Sequence, residues 1–202
     1  MKVSDDFLAV LEPETESASS ADGYLRPNKI ESGKPAVFAL LEEDPLEYWL
    51  VWGTPKEGGN NKPFRFIEKP SDEDIELELG RDFSRALNYD KTAEDKAYKC
   101  LTWPVYNWEE KRVQVLEVTQ ISISRQFVKY GLHKTYSKNL LDWDFQMEKG
   151  SVGGKTKYDL MVIPRDEDEH DDIQMAKDWK TAQKGGFDLT RLIGGGDPFK
   201  EA

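Results

Sequence analysis

Apolar and polar side chains alternate most clearly in the middle of the chain. Residues 98–106 (YKCLTWPVY) are rich in β-branched and aromatic residues, and 112–118 (RVQVLEV) set Val113 and Val115 against Arg112 and Gln114. Both read as strands, joined by a polar turn, NWEEK, that carries Trp108. Thr119 stands where a helix cap belongs, and Gly131 where a helix stops. Between them Ile121, Phe127 and Val128 form the apolar side of a helix over 120–130, with Ile123 near its edge. Upstream, 36–41 (AVFALL), 46–52 (LEYWLVW) and 63–67 (PFRFI) predict three short strands. The second is apolar on both faces, so it is central or it receives a partner. Ser71 followed by three acids marks a helix start, although Ile75, Leu77 and Leu79 alternate as in a strand. Some helix is expected around 84–87. Residues 142–163 predict a β-hairpin with a glycine-rich turn, in which Trp143, Phe145 and Met147 oppose Asp144, Gln146 and Glu148.

These elements divide the chain into three parts. Residues 1–23 read as a flexible arm, with EPETESASSAD as linker. Residues 24–165 form the core. Residues 166–202 form a flexible acidic tail with a short helix over 173–180 and apolar islands around Phe187 and Phe199. The fold class is mainly β with inserted helices. A helix placed after several strands and before a last hairpin is the order of an OB-fold-like five-stranded barrel. An α+β sheet of another order satisfies the same pattern.

Composition sharpens this picture. Six Trp, eight Tyr and nine Phe in 202 residues argue for a packed core. No apolar run approaches the roughly 18 residues of a membrane span, and the first residues lack a signal-peptide pattern, so a cytoplasmic protein is expected. Cys100 is the only cysteine, which suits a reducing compartment. The net charge is −11, unevenly spread. Residues 1–95 hold 11 Lys/Arg and 22 Asp/Glu, residues 96–165 hold 12 and 7, and residues 166–202 hold 5 and 10. The aromatic hairpin therefore lies in the one basic third of an acidic chain, a local footprint for phosphate.

A surface that handles nucleic acid takes flat side chains for exposed bases and cations along the backbone. Trp49, Trp103, Tyr106, Trp108 and Tyr158 are the stacking candidates, although Trp103, Tyr106 and Trp108 read equally as core. Tyr48, Trp52 and Phe64 or Phe66 are further stacking candidates, but these, with Trp143 and Phe145, read more readily as core. Arg65, Lys99, Lys111, Arg112, Lys134, Lys155 and Lys157 are the cation candidates. No catalytic string such as HExxH or GxSxG occurs, neither histidine is spaced to a partner, and no nucleotide-binding glycine loop is present. No enzyme activity, cofactor or metal is expected.

Four stretches resemble the single-stranded-DNA-binding proteins of tailed phages: YLRPNKIESGKPAVFALLEEDPLEYW, TWPVYNWEEKRVQVLEVTQ, ISISRQFVKYG and WDFQMEKGSVGGKTKYDLMVIP. The resemblance covers residues 24–165. It implies an OB-fold that binds single-stranded DNA in a basic, aromatic valley, in phage DNA replication, recombination and repair. It also implies an acidic C-terminal tail that recruits replication and recombination proteins, with Phe187, Leu189, Asp197 and Phe199 as docking residues, and self-association along DNA. The zinc module of the best-known members has no counterpart, since Cys100, His133 and His170 are the only Cys and His. The basic N-terminal arm has none either: residues 1–22 carry Lys2 against six acids. The alternative expectation is an accessory adaptor that binds another protein through the same aromatic surface.

Overall fold

The structure, a computed structural model, describes residues 23–55, 60–88, 91–166 and 168–200. The expected arm over 1–23 lies outside these but for Gly23. Among the described residues the chain is mainly β, with nine strands and three α-helices. The strands are β1 (Tyr24–Leu25), β2 (Ala36–Leu40), β3 (Leu46–Thr54), β4 (Lys62–Phe66), β5 (Ser84–Arg85), β6 (Tyr98–Asn107), β7 (Arg112–Val118), β8 (Trp143–Val152) and β9 (Lys155–Pro164). The helices are α1 (Asp72–Leu79), α2 (Ile121–Gly131) and α3 (Asp172–Lys184).

All strands join one open sheet with the order β1-β7-β6-β2-β8-β9, and β3 pairs with β4, β5 and β6. Strand β6 is its centre. One edge of β6 pairs with β7, and the other is shared by β3 over residues 98–102 and β2 over 105–107. The β6–β7 turn is fixed by Asn107, whose Oδ1 accepts the Glu109 and Glu110 amides at 3.0 and 3.2 Å. Strands β8 and β9 meet through Gly153 and Gly154, whose φ angles of 58° and 77° are those of a two-residue hairpin turn.

The core lies between one sheet face and α2. Ile123 and Phe127, four residues apart, are buried against Phe38, Trp103 and Phe145. The Phe127 ring lies 4.6 Å from Trp103 and 5.3 Å from Phe145. Burying each such side chain contributes about 1.5–3 kcal/mol. This corrects the expected apolar side of the helix, because Ile121 and Val128 are exposed. The helix also starts from Gln120, without a side-chain cap from Thr119, and continues through Gly131 to Leu132.

Residues 75–79 are helical despite their alternation. Ser71 and Asp74 form a complete capping box, and the i, i+4 pair Ile75 and Leu79 packs on Val51 and Phe66 while Leu77 faces solvent. Residues 84–85 form the strand β5 in place of the helix expected there, paired to Gly53 and Thr54. A side chain at Gly53 would meet Phe83, which explains the glycine.

Candidate nucleic-acid interface

Side chains of paired strands share a face, so the ladder register sorts the candidates. Tyr98, Cys100, Thr102, Pro104 and Tyr106 of β6 point away from α2. Opposite or next to them stand Leu46, Tyr48, Leu50 and Trp52 of β3, Pro63 and Arg65 of β4, Val113 and Glu117 of β7, Ala39 of β2 and Asp144 of β8. Lys155 and Lys157 of β9 fall on this face as well.

The face is covered by the chain's own C-terminus. Arg165 starts the cover: its Nε donates to Asp144 at 3.0 Å and its Nη1 to Asp172 at 2.9 Å. The His170 ring stacks on Trp108 at 4.3 Å, with 2° between the planes, and its Nδ1 lies 2.6 Å from Asp144 Oδ2. The indole Nε1 of Trp108 donates to the other Asp144 oxygen at 3.0 Å. Helix α3 then lays Met175 and Trp179 over Ala39, Leu41, Tyr106 and Trp108. Its Asp178 accepts from the Tyr106 hydroxyl at 3.0 Å. Beyond the helix, Phe187 packs edge-on to Trp179 at 5.2 Å and to Phe199 at 5.0 Å. The short 3₁₀ turn Leu189–Leu192 follows, and Ile193 lands on Tyr48, Leu50 and Cys100. The segment expected to be a flexible tail is thus a strap packed on the sheet. Met175 and Trp179 lower their exposure against Tyr106 and Trp108, and Phe187 packs on Trp179 and Phe199 behind them, which is the physical reason the segment is not a free tail.

Under the strap the polar groups are paired. Glu117 accepts from Arg65 Nε and Nη2 at 3.2 and 3.1 Å and from the Tyr48 hydroxyl, which in turn accepts from Thr102 at 2.9 Å. Burial and Glu117 push the Tyr48 phenol well above its ordinary range. Burial pushes the Cys100 thiol up to about 11. Burial and then the hydrogen bond to Asp178 push Tyr106 up to about 12. A cleft of about 450 Å³ remains between the strap at Ile193–Gly195 and Lys62, Phe64 and Arg65 of β4.

Of the stacking and cation candidates, this face gathers Arg65, Tyr106, Trp108, Lys155 and Lys157. Arg65 is not a free cation, since Glu117 holds it, and Lys157 pairs with Asp159 at 2.9 Å. The other face holds five of the remainder. Trp103 is 4% exposed and Tyr158 is buried, both in the core around α2. Trp49 packs beside α1, with Lys69 5.5 Å above its ring. Lys99 pairs with Glu47 at 2.5 Å, and Arg112 with Glu110. Lys111 occupies the β6–β7 turn at φ 51°, and Lys134 an exposed loop after α2. The tail residues are engaged too. Leu189 lies in the 3₁₀ turn, and Asp197 accepts the Phe199 amide at 3.0 Å.

Tyr98, Asp144, His170 and Trp179 are members of the face and its cover that sequence reasoning did not single out, and Tyr48 and Trp52 are stacking candidates that it ranked as core. His170 read as unpartnered. The parity of β6 held the signal, but both of its faces are apolar, so parity could not say which one α2 would cover. Among the described residues no group of three or more His, Cys, Asp or Glu could hold a metal ion. No helix among them is long and apolar enough to cross a membrane. Comparison with protein families, with characterised proteins and with solved structures finds no match.

Proposed function

We propose that the strap-covered face binds single-stranded DNA without sequence preference. The single observation that carries this reading is the match between face and cover: Tyr48, Tyr106 and Trp108 lie beneath the acidic end of the chain, and Trp52 and Tyr98 continue the same aromatic face beside it. The strap presents carboxylates and flat rings to that face, as a single strand presents phosphates and bases. Asp178 on Tyr106 and the His170 ring on Trp108 are the two clearest instances. The topology supports it. Strands β7-β6-β2-β8-β9, with α2 between β7 and β8, follow the order of a five-stranded OB barrel left open between β7 and β9.

In this reading Trp52, Tyr98, Tyr106 and Trp108 stack on bases. Lys96, 5.9 Å over the Tyr98 ring, joins Lys155 and Lys157 in following the phosphates. The resemblance to phage proteins adds the setting, DNA replication, recombination and repair, and a role for the released strap in docking partner proteins. The test is a titration of the full chain with oligo(dT), followed by tryptophan fluorescence. Quenching should occur and should weaken steeply with salt, because displaced counterions set the slope. A full chain that shows no quenching at low salt, with the strap weakened by Trp179→Ala as well, would leave the adaptor reading in its place.

A further inference from the structure

Side chains alternate along β3, so Trp49 points away from the face on which Ile193 covers Tyr48 and Leu50. There it lines a pocket of about 590 Å³ with Lys69, Asp72, Arg85 and Lys96. That volume falls within the roughly 300–1,000 Å³ of small-ligand sites. The half-buried indole supplies a flat wall. Lys69 and Lys96 are exposed, and among the described residues they make ring contacts and no ion pair. Asp72 is the one acid among the lining residues, and Arg85 Nη1 donates to it at 2.9 Å. The Nε of Arg85 is buried and has no hydrogen-bond partner among the described residues. The lining thus sets three cations and one carboxylate around an aromatic ring. Lys96 also stands 5.9 Å over Tyr98, which lies opposite Leu50 on the strap-side face. The pocket therefore adjoins the end of that face, and no described strap residue lines it.

We propose that this pocket holds one nucleotide of a single strand, with its base on Trp49 and its phosphate among Lys69, Arg85 and Lys96. The inference rests on the reading of the strap-covered face and adds to it a contact that the strap does not control. A flat ring flanked by cations meets both parts of an unstacked nucleotide. A base on the indole moves the Lys69 ammonium, now 5.5 Å over that ring, towards the phosphate. The same phosphate gives the Arg85 guanidinium a second acceptor beside Asp72. Because the pocket is open while the strap is closed, the strand engages it first. It is then tethered beside Tyr98 and Trp52, where its effective concentration competes with the strap for the rest of the face.

The experiment titrates the full chain with dye-labelled oligo(dT) and reads anisotropy over a series of salt concentrations. Lys69→Ala is the test variant, since Lys69 is exposed and its truncation leaves the core intact. It should weaken binding about fivefold and reduce the slope of log affinity against log salt by about one, the loss of one phosphate contact. Lys138→Ala, an equal change of charge in the loop after α2, should alter neither. A second readout locates the base: oligo(dT) carrying 5-iododeoxyuridine, irradiated with the full chain, should label Trp49. If the full chain binds but Lys69→Ala keeps its affinity and slope, or the label is confined to other residues, the pocket is overturned and the strap-covered face stands. Equal losses in Lys69→Ala and Lys138→Ala would overturn it as well. An absence of binding by both the full chain and Trp179→Ala would overturn the pocket and the face together.

Discussion

Removing the Trp179 ring is the most informative single change, because it separates the strap from the face without touching a strand. Trp179 is half-buried on Tyr106 and Trp108 and edge-on to Phe187. A tryptophan buries roughly 150–250 Å², so its half-buried ring removes about 100 Å² from water. At about 25 cal/mol per Å², Trp179→Ala weakens strap docking by about 2.5 kcal/mol. If the strap and single-stranded DNA share the face, apparent affinity scales with the fraction of open molecules. That fraction can then rise by about 60-fold, at 1.4 kcal/mol per factor of ten, until the open form predominates. Fluorescence anisotropy of dye-labelled oligo(dT) measures the change without relying on the deleted indole. Ile173→Ala is the control, since Ile173 is 84% exposed on the same helix, and it should leave affinity unchanged. Limited proteolysis after residue 165 reports independently whether the strap has loosened. A Trp179→Ala protein that is cleaved faster there, remains folded and binds DNA no tighter would refute the idea of a shared face.

Two further outcomes concern the anchoring of the strap. Asp144→Ala should destabilise the fold by about 3–5 kcal/mol in urea unfolding, since it strands the Arg165 charge, only 10% exposed, and frees His170 and Trp108 Nε1. A loss below about 1 kcal/mol would contradict a buried, paired carboxylate. Tyr106 is held up to about 12, above its ordinary value of 10, by burial and by Asp178. A raised folded value favours the protonated form, so its stabilising effect is complete below pH 10 and is lost as pH rises through about 12. Ultraviolet titration of tyrosinate should show this late phase, and Asp178→Asn should move it to lower pH.

Much of the secondary structure is legible in the sequence because it is local. The 112–118 strand has the bounds its alternation predicts, the Ser71 capping box outweighs the alternation of Ile75, Leu77 and Leu79, and Gly153-Gly154 mark the hairpin turn. The helix 121–131 is found where expected, but its buried side is not. Ile121 and Val128 are as apolar as Ile123 and Phe127, and only the angle at which the chain leaves β7 decides which pair meets Phe38 and Phe145. The candidate interface was legible in part: Arg65, Tyr106, Trp108, Lys155 and Lys157 share the face, whereas Trp103 and Tyr158 fill the core.

By itself, then, the sequence determined which segments are strands and helices, the basic character of the middle third and the acidity of the end. Propensity, capping and net charge are properties of neighbours along the chain. The tertiary structure alone decided that β6 divides its side chains between a core and a covered face, and that the acidic end lies on that face. Asp144 meets Trp108, Arg165 and His170 from 21 to 36 residues away. Burial of such a carboxylate is favourable only when all three partners converge on it, and that convergence exists only in the folded sheet.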